Sequence, residues 1–161
     1  MNILYGSVTG TAEYLARDAA RLAKERGHHV RLAELDDITM DDLADMEDVL
    51  VFIATYGEGE MPVNAETFWD EISSYDAPDM AGVSFGVLGL GDTAYDLFCE
   101  AAKEIDARFE ELGATRRVDR IDCDLDYERP AAAWIDRAIP MANGEAAIPR
   151  EDTAPAMLLK A

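Results

Sequence analysis

Ile3-Leu4-Tyr5-Gly6-Ser7-Val8-Thr9-Gly10-Thr11-Ala12 runs from three apolar residues into a loop of hydroxyls and glycines. Ala12, Leu15, Ala16, Ala19, Leu22 and Ala23 then recur at helical spacing with charges between them. A short apolar run followed by a tight loop and a 3.6-residue period reads as strand, loop and helix. Gly27 closes that helix, and Val30 and Leu32 alternate with polar residues as a half-buried edge strand does.

The same order repeats along the chain. Thr39 and Asp42 form a capping pattern for a short helix, and the unbroken Val49-Leu50-Val51-Phe52-Ile53 within Asp48 to Thr55 suits a central strand covered on both faces. After a loop with Gly57, Gly59 and Pro62, Asn64 is placed to cap a helix whose inner face carries Ala65, Phe68, Trp69 and Ile72. Phe85 to Leu90 is a further strand, and Phe98, Ala101, Ala102, Ile105, Phe109 and Leu112 form the next helical stripe, ended by Gly113. Val118 and Ile121 mark a fifth strand, and Pro130 opens a last helix through Trp134, Ile135, Ala138 and Ile139. Strands separated by crossovers of about a dozen residues must pair in parallel, so the fold class is α/β, a doubly wound five-stranded parallel sheet with helices on both faces. One domain is expected over residues 1–142, with 143–161 a tail of uncertain order that ends in the apolar Met157-Leu158-Leu159.

The composition narrows the partners. The 161 residues carry a net charge of −20 with 49% hydrophobic residues, enough for a full core. Residues 32–102 hold eighteen Asp and Glu and no Lys or Arg, whereas residues 1–31 hold five basic and three acidic side chains. A surface this acidic repels phosphate backbones and anionic lipid, which argues against nucleic acid and membrane partners and favours a basic protein. The longest apolar run, Val49 to Ala54, is too short to span a membrane, and the first basic residue is Arg17, so a cytoplasmic location is expected. Cys99 and Cys123 have no metal-ligand spacing and read as small core residues.

In open sheets of this kind ligands bind beyond the carboxyl ends of the strands, where the strand order reverses. The loop Ser7-Val8-Thr9-Gly10-Thr11-Ala12 puts three hydroxyls and a run of backbone N–H groups at a helix N-terminus, a setting for phosphate. It has neither the lysine of a triphosphate-binding loop nor the GxGxxG of a dinucleotide site, so a monophosphate fits. Thr55-Tyr56-Gly57-Glu58-Gly59-Glu60 and Gly89-Leu90-Gly91-Asp92-Thr93-Ala94-Tyr95 each bring one tyrosine to the same edge. Two tyrosines there can flank a flat ring, each contact contributing about 0.5–1.5 kcal/mol beyond area burial.

These three loops, with Asp119-Arg120-Ile121-Asp122-Cys123-Asp124, resemble those of the short-chain flavodoxin family. Their wording is especially similar to the FMN domains of diflavin reductases of the sulfite reductase flavoprotein type and to related free-standing flavodoxins. The resemblance covers the chain from Met1 to about Ala142 and implies the flavodoxin strand order 2-1-3-4-5. It implies that Ser7, Val8, Thr9, Gly10, Thr11 and Ala12 hold the FMN phosphate. It further implies that Thr55, Tyr56, Gly57, Glu58 and Gly59, and Leu90, Gly91, Asp92 and Tyr95, surround the ring. Tyr56 and Tyr95 would flank it, and the Gly57 peptide would accept a hydrogen bond from the flavin N5–H after one-electron reduction. Asp124 would lie at the rim, and Phe98 and Cys99 would pack behind the flavin loop.

No His, Lys or Cys in these loops forms a nucleophile-and-base pair, so the chain is expected to carry electrons rather than turn over a substrate. The function this implies is that of a flavodoxin. A monomeric FMN protein would pass single electrons, through its semiquinone and hydroquinone states, between an NAD(P)H-dependent flavodoxin reductase and an acceptor. The alternative is an FMN module or subunit of an NADPH-dependent diflavin-type reductase. A phospho-accepting receiver domain of the same strand order fails, because Ser7, Thr9 and Tyr56 stand where it needs acids.

Overall fold

Asn2–Gly6 forms β1 and Thr11–Glu25 forms α1, in agreement with the strand, loop and helix read from the sequence. The structure, a computed structural model, describes residues 1–144. The elements that follow are β2 (Arg31–Glu34), α2 (Met40–Asp45), β3 (Asp48–Ala54), α3 (Glu66–Ile72), β4 (Ser84–Leu90) and α4 (Glu100–Glu111). The last are β5 (Thr115–Arg116), β6 (Ile121–Cys123) and α5 (Glu128–Ala138). The tail proposed from Asn143 onward, with its Met157-Leu158-Leu159, lies outside the described residues beyond Gly144.

The strands pair in parallel in the order β2-β1-β3-β4-β5, with β6 also paired to β4. The apolar run of β3 shows why the sheet is covered twice. Val49, Val51 and Ile53 face a core shared with Phe68 and Ile72 of α3 and with Ile105 and Phe109 of α4. Leu50 and Phe52 face the other core, with Leu15 and Ala19 of α1 and Trp134 and Ile135 of α5. One strand with two buried faces produces an unbroken hydrophobic sequence.

The fifth strand departs from expectation. It is two short segments, because the chain leaves the sheet between Arg116 and Ile121. Thr115 and Arg116 pair with Ser84 and Phe85, whereas Ile121, Asp122 and Cys123 pair with Leu88, Gly89 and Leu90. Val118 is therefore not a strand residue; its side chain covers Gly86, where a Cβ would collide with it. The excursion is held by charge. Asp106, 3% exposed on α4, accepts from Arg116 at 2.8 Å and from Arg120 at 3.0 Å, and Arg117 pairs with Asp48 at 2.9 Å. A buried carboxylate met by two guanidinium groups has its desolvation largely offset.

Caps also differ from the sequence reading. Thr39 does cap α2, accepting from the Asp42 N–H at 3.1 Å. Asn64 caps nothing: it sits in a 3₁₀ turn over Val63–Ala65, and the first turn of α3 is instead held by Asp36, which accepts from the Phe68 N–H at 2.9 Å. The α4 helix begins at Glu100, so Phe98 precedes it, and Cys99 at its N-cap has φ +53°.

Candidate cofactor site

At the carboxyl end of β1 the chain turns through Ser7 to Gly10 and enters α1 with no side-chain cap on the helix. The first N–H groups of a helix have no intrahelical partner, and the helix dipole makes this end favourable for an anion. Gly10, at φ +95°, ends the loop in a left-handed conformation that brings its own N–H to Ser7 Oγ at 3.0 Å. Ser7 in turn donates its N–H to Asn64 Oδ1 at 2.9 Å, across 57 residues of sequence. The exposed Val8 and Thr9 form the crest of the loop, and Thr11 is half-buried at the start of the helix.

The loop after β3 is a closed turn. Tyr56 and Glu60 pair in antiparallel fashion, with Tyr56 N–H to Glu60 carbonyl at 2.8 Å and the reverse bond also at 2.8 Å. Gly57 and Gly59 lie between them at φ +53° and +131°, conformations that side chains with a Cβ adopt only at a cost. A Cβ on Gly59 would lie 2.6 Å from Leu97 Cδ1, so this turn packs directly on the loop after β4. Thr55 ties the same loops together: its N–H donates to the Leu90 carbonyl at 3.0 Å, and its hydroxyl accepts from the Ala101 N–H at 3.1 Å. That last bond caps α4 from a distance.

The loop after β4 is anchored to the loop after β6. Asp124 accepts from the Thr93 hydroxyl at 2.6 Å, from the Thr93 N–H at 3.2 Å and from the Leu125 N–H at 2.8 Å. The Thr93 hydroxyl bond, aided by the two N–H groups, holds the Asp124 carboxyl below its ordinary value. This clamp is therefore complete above the ordinary carboxylate range and is lost as pH falls through that lowered value. Asp92 turns the loop by accepting from the Ala94 N–H at 2.9 Å.

These anchors bring Thr55, Gly57, Gly91, Asp92, Tyr95, Phe98 and Cys99, with Leu97 and Leu125, around one open cavity of about 220 Å³. A neighbouring recess of about 540 Å³ shares Tyr95 and Leu97 and adds Glu58 and Asp96. Tyr95 and Tyr56 are each about half exposed, at 52% and 54%, but Tyr95 borders both spaces and Tyr56 lines neither. Ser7 to Ala12 lie outside the cavity, at the adjacent strand end. Leu90 and Asp124 act as anchors of the cavity's loops, and Cys99 is its fully buried floor.

The two cysteines are chemically quiet. Burial pushes both thiols up to about 12. At pH 8 the folded protein is expected to react with neither thiol reagent nor iodoacetamide, and to release two reactive thiols on unfolding; prompt labelling of the folded chain would contradict this burial.

The sequence reading missed three residues at this edge. Asn64 has the pattern of a helix cap, and neither Leu97 nor Tyr127 has a pattern to mark it. The Tyr127 phenol is raised by burial and by Glu128, against which its hydrogen bond with the Thr11 side chain works. Only Asn64 carried a signal, as an amide two residues after a proline beside a glycine-rich loop.

The donor set fits a phosphate monoester with a flat ring: an uncapped helix end, three hydroxyls without a basic side chain in the loop, and an aromatic beside a cavity walled by glycines. A doubly wound sheet with this equipment at its switch point defines a mononucleotide-binding α/β protein, an arrangement that flavodoxins themselves exemplify. The Flavodoxin family model matches residues 3–134, and the chain belongs to the flavodoxin family. Its cofactor is FMN and its role is electron transfer.

The sulfite reductase [NADPH] flavoprotein alpha-component of Bacillus subtilis is 39% identical over 152 residues, covering 92% of this chain and 25% of that protein. The protein of the same name from Neisseria meningitidis is 39% identical over 155 residues, covering 96% of this chain and 26% of its own length. The chain thus spans about a quarter of these curated relatives. Among solved structures, the Streptococcus pneumonia TIGR4 flavodoxin superposes with a TM-score of 0.76 at 28% identity, over 86% of this chain and 93% of its own. A short-chain flavodoxin associated with a bacterial microcompartment shares the fold at a TM-score of 0.76 and 23% identity, over 89% and 97% of the two chains. No helix among the described residues is long and apolar enough to cross a membrane.

Proposed function

We propose that this chain works as a free-standing flavodoxin, a monomer that takes electrons from a basic NAD(P)H-dependent reductase and delivers them to a basic acceptor without turning over a substrate. The observation that carries the reading is the cavity bordered by Tyr95 and Gly57, beside an uncapped helix end. Ser7, Val8, Thr9, Gly10, Thr11 and Ala12 would hold the phosphate through hydroxyls and N–H groups. Thr55, Tyr56, Gly57, Glu58 and Gly59 on one side and Leu90, Gly91, Asp92 and Tyr95 on the other would hold the ring, with Phe98, Cys99 and Asp124 supporting them. Bound FMN supplies reversible one-electron redox chemistry. The Gly57 peptide is suited to turning its carbonyl toward a proton on the ring, because the bonds that close its turn run through Tyr56, Gly59 and Glu60.

The working domain is taken to close near Ala142, whose N–H returns to the Arg26 carbonyl at 2.9 Å. A second reading, an FMN module or subunit of an NADPH-dependent diflavin-type reductase, is favoured by relatives four times as long. Reductive titration of the FMN-loaded chain tests the carrier role: two well-separated one-electron steps are expected, and a single two-electron step would overturn it. Reduction of the isolated chain by NADPH alone would favour the second reading.

Two further outcomes are expected. Tyr95→Ala removes a stacking surface that is worth about 1–3 kcal/mol when a base rests on an aromatic, so FMN affinity should fall about tenfold or more. The second reduction step should then move to higher potential; an unchanged affinity and potential would show that no ring rests on Tyr95. Exposed Glu58 and Asp96 and half-buried Asp92 border the site without a basic neighbour in residues 32–102. Electron transfer to a basic acceptor protein should therefore slow several-fold as salt shortens the Debye length from about 10 Å to about 3 Å. A rate indifferent to salt would remove docking as the reason for the acidity.

A further inference from the structure

Asn64 is the feature of this edge that neither the sequence pattern nor the family's phosphate-loop motif accounts for. It lies in the Val63–Ala65 turn, four residues beyond the Tyr56–Glu60 pair, and so belongs to the ring side of the site. Its side chain crosses to the phosphate side and accepts the Ser7 N–H at 2.9 Å. The backbones approach as closely as the bond implies: a Cβ on Gly6 would lie 3.1 Å from both Ala65 Cβ and Pro62 Cγ. Ser7, so held, offers its Oγ to the Gly10 N–H at 3.0 Å. Two of the loop's N–H groups are thereby committed to the protein, and their bonds fix the crest between them. Among the described residues the N–H groups of Val8, Thr9, Thr11, Ala12 and Glu13 have no backbone or side-chain acceptor.

We propose that Asn64 is a positioning residue for the phosphate loop. By taking the Ser7 N–H it turns the loop so that the remaining N–H groups and hydroxyls face outward together, and it locks that loop to the segment that carries Gly57. The inference rests on the FMN reading above. Asn64 itself touches no cofactor; it acts through Ser7 and Gly10. Removing its oxygen leaves the Ser7 N–H without a partner and frees the loop to sample conformations in which its donors diverge, a loss of pre-organisation that only a phosphate-bearing ligand feels.

The test compares FMN with riboflavin, which has the ring and no phosphate, on the wild-type protein and on Asn64→Ala. FMN affinity is expected to fall about tenfold in the variant, riboflavin affinity to stay within about twofold, and the Ser7 amide of the cofactor-free protein to lose its protection from hydrogen exchange. Asn64→Asp keeps an acceptor oxygen at the same reach, so it should retain the Ser7 protection and, at high salt where its charge is screened, most of the FMN affinity. Unchanged FMN affinity in Asn64→Ala overturns the proposal. So does an equal loss for both ligands, which would mark Asn64 as a support of the whole fold. A wild-type protein that takes up no FMN overturns the functional reading instead, and this inference with it.

Discussion

Thr9→Asp is expected to weaken FMN by two to three orders of magnitude while leaving riboflavin binding unchanged. Thr9 stands on the exposed crest of the loop between β1 and α1, a loop that itself carries no Lys or Arg to neutralise an added charge. A phosphate monoester carries about −1.5 to −2 charges at pH 7. At about 8 Å and an effective dielectric near 20, each pair of unit like charges costs about 2 kcal/mol, so the phosphate as a whole loses about 3–4 kcal/mol, and 1.4 kcal/mol is a tenfold change in affinity. Hydrogen-bond loss adds to this in the same direction. Isothermal titration with both ligands reads the effect. Equal weakening of FMN and riboflavin would place the phosphate elsewhere, and no weakening of either would mean the loop is not the binding element.

Trp134→Ala should lower the unfolding free energy by about 3–5 kcal/mol, the usual cost of emptying a large aromatic site. Trp134 is fully buried, its ring meets Phe52 edge-on at 5.8 Å, and its Nε1–H donates to the Asp119 carbonyl at 2.8 Å. That carbonyl belongs to the excursion between β5 and β6, so the loss also loosens the approach to Asp124, which pins Thr93 beside the cavity. For a chain of this size the midpoint of thermal unfolding should drop by about 8–16 °C. A drop under about 2 °C would show that the indole is not packed as described.

The fold was legible because each strand and helix carries its own hydrophobic period, and β3 announces burial on both faces through five consecutive apolar residues. The loops after β1, β3 and β4 stood out for a different reason: glycine, hydroxyl and aromatic residues are concentrated where these strands end. What stayed hidden depends on partners remote in sequence. The break in the fifth strand is set by Val118 closing over Gly86 and by Asp106 gathering Arg116 and Arg120, and no local pattern marks either. Asn64 after a proline has the signature of a cap, yet its acceptor serves Ser7, and the cap of α3 comes from Asp36 in another loop.

The acidity also resolves into parts. Asp36, Asp42 and Asp48, drawn from one acid-rich stretch, serve as a helix cap and as partners of Arg31 and Arg117. Glu58, Asp92 and Asp96 border the spaces where the ring is proposed to lie. One such carboxylate at about 12 Å in a water-like medium contributes only about 0.3 kcal/mol against added negative charge. For the proposed carrier, steering of a basic partner would thus be the larger use of these carboxylates, and tuning of the reduction potential would rest mainly on stacking and on the polarity of the cavity.

In the proposed complex one FMN binds at the carboxyl edge of the sheet, ring against Tyr95 and phosphate at the α1 N-terminus. Fluorescence titration of the cofactor-free protein with FMN and with riboflavin tests it most directly. One FMN per chain is expected with its emission quenched, and affinity for riboflavin weaker by at least tenfold. Emission of FMN that stays unquenched in a micromolar excess of folded protein, or riboflavin bound as tightly as FMN, would contradict it.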